Sequence, residues 1–296
     1  MIIVTGATGQ LGRVLLAQLL RRVPAAHVGV SARSPEKLAD LAARGVRVRR
    51  GDFTEPEGLA HAFEGASQLL LVSVDATGPQ AVERHAAALE AARAAGVGRV
   101  LYTSHQGLSA TSPFAPMPDH AATEELLAAS GIAHTSLRNG FYASTTLQLL
   151  GDALTSGKLY APEDGPVSWT THADLAEAAA VILAEGERGE VPFDGPTPAL
   201  TGPEALDLAD VARIAGEVTG RQVERIVVPD DQWRDQLVGQ GVPEPQADLL
   251  LGLFRASRAK EFAETGPALG ELLGREPRDL RGFLTDNLRR RPEHAG

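Results

Sequence analysis

Within its first thirteen residues the chain passes from an apolar run, Ile2-Ile3-Val4, through Gly6, Gly9 and Gly12 into a segment where Leu11, Val14, Leu15 and Leu19 repeat at helical spacing. A short apolar run bounded by turn residues reads as a strand buried on both faces, and the 3.6-residue repeat reads as a helix packed on one side. The glycines therefore occupy a strand-to-helix connection with the spacing G-x-x-G-x-x-G. The first permits the tight turn, the second lets backbone N–H groups approach a pyrophosphate, and the third lets the helix lie close to the sheet, its positive dipole end toward the phosphates. The turn Gly6-Ala7-Thr8-Gly9-Gln10-Leu11-Gly12 is thus predicted to cradle a dinucleotide. Spacing alone would be weak evidence in a chain with 31 glycines, and the flanking strand and helix give it weight. A P-loop would need Gly-Lys-Ser/Thr, whereas Arg13 and Val14 follow Gly12.

The pattern then alternates. Strands are predicted over 27–31, 46–49, 69–72, 99–103 and 132–137, separated by helices reaching to about Arg22 and over 79–95 and 120–129, with two more after Ser34-Pro35 and after a Thr54/Glu57 capping box. Strand–helix alternation of this kind predicts an α/β fold with a doubly wound parallel sheet. Residues 1–140 read as the dinucleotide-binding domain. Residues 141–296 read as a mixed region without a clean linker that completes the sheet and builds a small C-terminal substrate lobe. Its helices are predicted over 142–156, 173–184, 207–219, 230–238 and 245–264, with a strand over 222–228. The tail from about Arg290 is expected to be disordered.

A formal net charge of −10 argues against a nucleic-acid partner, and Arg289-Arg290-Arg291 reads as a solvated tail. The absence of cysteine excludes disulfides, iron–sulfur clusters and a thiol nucleophile. Eight histidines without a His-x-x-x-His pair give no starting constellation for a metal. No apolar run approaches the roughly 20 residues of a membrane span, and the first strand begins without a leader pattern, so a cytoplasmic protein without membrane contact is expected. A homodimer is allowed.

The residue after the second strand sorts the cofactors, because an acid there suits the ribose 2′-OH of NAD and an arginine suits the 2′-phosphate of NADP. Arg33 stands at that position, with Arg13 and Lys37 as weaker helpers, and predicts NADP(H). Asp52, with Phe53 beside it, closes the third strand and is either an acceptor for an adenine amino group or a turn residue after Gly51. Ser73, Val74, Thr103 and Ser104 lie at the ends of strands four and five, where ligands of parallel sheets bind. Ser104 leads the catalytic candidates, followed by His120 and Tyr142, with His105 at the pocket rim. Asn139 and Phe141 follow the sixth strand and are expected to wall the nicotinamide, with Trp169 as another aromatic candidate.

Taken together, Val4-Thr5-Gly6-Ala7-Thr8-Gly9-Gln10-Leu11-Gly12, Arg33-Ser34-Pro35-Glu36-Lys37, Gly51-Asp52-Phe53, Val100-Leu101-Tyr102-Thr103-Ser104, Leu137-Arg138-Asn139-Gly140-Phe141-Tyr142 and Leu200-Thr201-Gly202-Pro203-Glu204-Ala205 resemble the NmrA-like branch of atypical short-chain dehydrogenases, and within it the type 2 NAD(P)H:quinone oxidoreductases. The similarity runs from Met1 to about Leu284. It implies a Rossmann domain, NADPH held by the glycine turn and Arg33, and a lobe closing over a small quinone-like acceptor. One departure from the wider dehydrogenase pattern matters: the Tyr-x-x-x-Lys pair is absent. Tyr102, Tyr142 and Tyr160 are followed four residues on by Gln106, Thr146 and Asp164, and the lysines are Lys37, Lys158 and Lys260. Aligned on Glu124, His120 falls at the lysine position and Pro116 at the tyrosine position. The quinone reductases it resembles share this departure. A quinone reductase tolerates it, since a hydroquinone anion can take its proton from solvent, and no single side chain is then expected to be indispensable as a proton donor. Two other readings stay open at this point: a regulator that senses NADP(H) without turnover, and a dedicated NADPH reductase of an enone, imine or ketone with Ser104, His105 or His120 as acid.

Overall fold

The computed structural model describes residues 1–289; Arg290, Arg291 and the expected disordered tail lie outside the described residues. The first half runs β1 (Ile2–Val4), α1 (Gln10–Leu19), β2 (Val28–Ala32), α2 (Ala39–Ala43), β3 (Arg47–Arg50), α3 (Leu59–Phe63), β4 (Gln68–Leu71), α4 (Pro79–Ala94), β5 (Arg99–His105), α5 (Pro116–Ala129) and β6 (Ala133–Asn139). The second half continues with β7 (Phe141–Tyr142), α6 (Ser144–Leu150), α7 (Ala153–Ser156), β8 (Lys158–Ala161), β9 (Trp169–Thr170), α8 (His172–Glu187) and β10 (Gly195–Pro196). It ends with α9 (Leu208–Thr219), β11 (Glu224–Val227), α10 (Asp230–Gly239), α11 (Glu244–Arg258), α12 (Ala268–Leu273) and α13 (Leu280–Leu288).

Seven strands form one parallel sheet in the order β10-β6-β5-β4-β1-β2-β3. Both faces are covered, which is why Ile2, Ile3 and Val4 are all apolar: Ile2 and Val4 join the core under α1, α8 and α12, while Ile3 joins the core under α3, α4 and α5. The chain order reverses between β1 and β4, and the crevice outside the carboxyl ends of these two strands is the ligand position of a doubly wound sheet. A separate core gathers Phe141, Trp169, Val211, Phe254 and Phe262 in a lobe built on α6, α9, α10, α11 and α13. Short parallel pairs, β7 with β9 and β8 with β11, frame it.

Several local expectations are corrected. Ser34 makes no side-chain cap, and a 3₁₀ turn over Pro35–Leu38 precedes α2. The Thr54/Glu57 box does not form, because Thr54 turns its N–H and hydroxyl back onto Asp52 Oδ1. Helix α5 starts at Pro116, earlier than expected, its two prolines falling in the first turn where an N–H is not needed. The helix expected over 142–156 is a two-residue strand and two short helices, interrupted where Gly151 adopts φ +47°. The helix expected to reach Glu264 stops at Arg258, just before Lys260 takes φ +61°.

Candidate active site

The turn expected to hold the cofactor is made of backbone. Gly6 has φ +64°, and a Cβ there would stand 2.9 Å from Val72 Cβ; a Cβ on Gly12 would collide with the Gly6 carbonyl oxygen. Ala7 and Leu11 bury their side chains in the sheet core, leaving Thr8, Gly9 and Gln10 exposed along the crevice. Two of the helices that start around the groove beside Gln10 are capped from within: Thr171 Oγ1 accepts the Asp174 N–H at the start of α8, and Asp279 Oδ1 accepts the Gly282 N–H at the start of α13. Helix α1 has no side-chain cap and no acidic residue in its first turn. Its orphan amides and dipole are open to an anion. Arg33 is exposed after β2 and, among the described residues, makes no hydrogen bond or ion pair. Beside it, Asp52 Oδ1 accepts the Thr54 N–H at 2.9 Å and the Thr54 hydroxyl at 2.8 Å. The backbone bond from Thr54, with help from Arg33 and Arg50, holds the Asp52 carboxyl below its usual range. Phe53 is half-buried and packs on the α3–α4 core. This donor set fits a phosphorylated dinucleotide: an uncapped helix start, glycines too closely packed for a Cβ, and an unengaged guanidinium.

Farther along the crevice, the chain leaving β4 is held by side chains of three other segments. Val72 N–H donates to Thr5 Oγ1 (2.9 Å), Ser73 N–H to Thr103 Oγ1 (2.8 Å) and Val74 N–H to His85 Nε2 (3.1 Å). These three amides are therefore taken, and Ser73 and Val74 can meet a ligand only through side chains and carbonyls. Below them lies a cavity of about 380 Å³ lined by Ser73, Val74, Tyr102, Pro116, Asp119, His120 and, from α11 of the lobe, Leu249, among others. Because His85 Nε2 accepts from Val74, its Nδ1 is the donor to Thr123 Oγ1 at 2.9 Å, and Thr123 in turn donates to the Asp119 carbonyl at 2.7 Å. The Tyr102 hydroxyl lies 2.8 Å from His120 Nδ1. Burial lowers His85 to about 4 and both His105 and His120 to about 3, so all three rings are neutral near pH 7. Burial raises the Tyr102 phenol.

Of the three candidate catalytic groups, His120 alone lines this cavity. Ser104 is buried and donates at 2.6 Å to Glu124 Oε1, a carboxylate that also pairs with Arg138 at 2.8 Å. Thr103 is committed to holding Ser73. Tyr142 stacks its ring on His172 with centroids 4.0 Å apart, and His172 with Gln10 helps to line a groove of about 1190 Å³ between α1, α8 and α13. Burial pushes the Tyr142 phenol up to about 12. Phe141 and Trp169, expected as walls of the nicotinamide site, are core residues of the lobe, Phe141 meeting Trp169 edge-on at 5.6 Å and His105 at 5.4 Å. Asn139 is buried at the end of β6, its backbone carbonyl accepting the Gln106 N–H. His105 is fixed by the Gly107 N–H on Nδ1. Sequence reasoning missed Thr5, His85, Tyr102, Asp119 and Leu249. Thr5 carried a signal as the polar end of an apolar strand; the others are joined only by tertiary packing. Among the described residues there is no cluster of three or more metal-ligating side chains, and no helix is long and apolar enough to cross a membrane.

A family model described as NAD(P)H-binding matches residues 6–186, from the first glycine of the turn to the last turn of α8. The chain belongs to that family. It is 36% identical over 276 residues to quinone oxidoreductase 2 of Escherichia coli strain K12, spanning 93% of this chain and 94% of that one. It is 30% identical to an NmrA-like family domain-containing oxidoreductase of Aspergillus flavus, spanning 96% and 95%. The crystal structure of the E. coli NADPH-dependent quinone oxidoreductase complexed with NADPH aligns with a TM-score of 0.90 at 32% identity, covering 97% of this chain and all of that one (100%). The protein is therefore an NAD(P)H-dependent oxidoreductase of the NmrA-like branch with a Rossmann-like fold, as the sequence motifs implied.

Proposed function

We propose that the protein transfers hydride from NADPH to a quinone or similarly electron-poor acceptor held in the 380 Å³ cavity beside β4 and β5. The observation that carries this reading is full-length similarity to a quinone oxidoreductase, which extends through the lobe that contributes Leu249 to the cavity. The backbone of residues 6–12 and the open start of α1 would hold the pyrophosphate, and Arg33 the 2′-phosphate. The bound nicotinamide supplies the hydride. Thr5, Thr103 and His85 keep residues 72–74 in one conformation, giving the acceptor ring a fixed floor; catalysis then rests on holding the ring at transfer distance. The charged residues lining the cavity are Asp75 and Asp119, without lysine or arginine, which suits an uncharged acceptor. The hydroquinone anion formed by hydride addition is weakly basic enough to take its proton from water, so Ser104 can be turned toward Glu124 without cost to the chemistry.

Following NADPH absorbance with a panel of quinones, enones and imines tests the proposal. Quinones are expected to be reduced with the highest kcat/KM. Consumption confined to one enone or imine class would replace this reading with a dedicated reductase, and tight NADPH binding without any consumption would replace it with a regulator.

A further inference from the structure

We infer that Tyr102 fixes His120 in the tautomer bearing its hydrogen on Nε2, and that this N–H donates to the acceptor oxygen as negative charge builds there. The inference rests on the quinone reading above and gives that site a directed polar contact.

Geometry supplies the first argument. His120 lines the cavity, and its Nδ1 is engaged by the Tyr102 hydroxyl at 2.8 Å. Its ring is held from two sides, by Tyr102 at a centroid distance of 5.7 Å and by His105 at 6.1 Å with the planes only 30° apart. Nε2 is the nitrogen left for a ligand.

The direction of the hydrogen bond follows from what surrounds the phenol. Thr123 lies beside the Tyr102 phenol, but its own hydrogen goes to the Asp119 carbonyl and its oxygen already accepts from His85 Nδ1, which leaves the His120 nitrogen as the better partner for the phenol hydrogen. A phenol is the stronger donor of the Tyr102–His120 pair and an imidazole nitrogen the stronger acceptor, so the O–H points at Nδ1 and the ring hydrogen resides on Nε2. Burial, which holds His120 down to about 3, keeps the ring neutral, so it is no acid near pH 7. It is a hydrogen-bond donor already aimed when the substrate arrives, and such preorganised donors act on developing charge without reorganising.

The chemistry balances without passing a proton through the protein. Hydride addition places two electrons and one hydrogen on the quinone and leaves a hydroquinone monoanion. The His120 N–H stabilises the oxyanion, water gives the second proton, and His120 and Tyr102 end as they began. His120 is then a catalytic residue although it transfers no proton, and Tyr102 is a positioning residue acting through it.

Nitrogen NMR of the ¹⁵N-histidine-labelled holoenzyme with NADPH reads the tautomer directly. The expected result is an unprotonated Nδ1 and a protonated Nε2 for His120, with the Nδ1–H form appearing in Tyr102→Phe. With benzoquinone, His120→Ala is expected to lose about tenfold to a hundredfold in kcat at unchanged NADPH affinity, the range for one hydrogen bond to a charged group. His120→Gln, which keeps an N–H donor, is expected to recover most of that loss, and Tyr102→Phe to lower kcat more than it raises the quinone KM. A wild-type ring protonated on Nδ1, or a kcat in His120→Ala within about twofold of wild type, overturns the inference. Failure of the quinone reading looks different: wild type then consumes no NADPH with quinones, while the tautomer measurement still decides the Tyr102–His120 arrangement.

Discussion

The two ends of the crevice are built by different means. At the cofactor end, seven consecutive residues, 6–12, present backbone and a bare helix start, and the side chains of Ala7 and Leu11 are turned away into the core. At the end proposed for the acceptor, the cavity is lined by side chains brought together from β5, α5 and α11 at positions 102, 120 and 249. A backbone-built site demands particular residue types at fixed short spacing, because only glycine permits such close approach, and so it leaves a pattern in the chain. A site built from side chains across tertiary contacts leaves none.

The largest expected effect falls on stability. Phe141 belongs to the lobe core, so Phe141→Ala is expected to cost about 3–5 kcal/mol in urea unfolding while the folded protein keeps its NADPH affinity. Unaltered stability with a large fall in kcat would return Phe141 to the wall of the acceptor site. Next comes the turn itself. A Cβ on Gly9 meets only the Gly6 carbonyl oxygen, at 3.3 Å, so Gly9→Val is expected to fold yet block the path of the pyrophosphate, weakening NADPH in a calorimetric titration by roughly a hundredfold or more. Undiminished affinity in the folded variant would mean that the phosphates lie elsewhere. Arg33→Ala should act more narrowly, with NADPH weakened about ten- to hundredfold and NADH nearly unaffected. Equal losses for both cofactors would remove Arg33 from the 2′-phosphate site.

Legibility in the sequence divided along the same line. The order of strands and helices through β6 followed from alternating apolar runs, and Gly6, Gly9, Gly12 and Arg33 could be proposed as cofactor contacts because the tasks assigned to them depend on local position. The partners of Ser104 and Tyr142 were illegible for a common reason: strand position says that a residue is near the carboxyl edge but not which neighbour will claim its side chain. Glu124, twenty residues away, takes Ser104, and His172, thirty residues away, stacks on Tyr142. Phe141 and Trp169 were drawn toward the pocket by their chemistry, whereas the lobe needed them as core. His120 was suggested only by its alignment with a missing lysine, and no spacing pairs it with Tyr102. The lobe was less regular because β7, β8 and β9 are only two to four residues long, too short to show a period.

The location of the acceptor is tested most directly by filling its cavity from the lobe side. Leu249 is half-buried on α11, away from the glycine turn and Arg33, so Leu249→Trp adds bulk to the cavity without touching the cofactor end. Steady-state kinetics with benzoquinone, alongside calorimetric titration with NADPH, should show kcat/KM falling by more than about tenfold while the NADPH Kd stays within about twofold. Quinone turnover equal to wild type in the folded variant would contradict the assignment and move the acceptor to the groove between α1, α8 and α13.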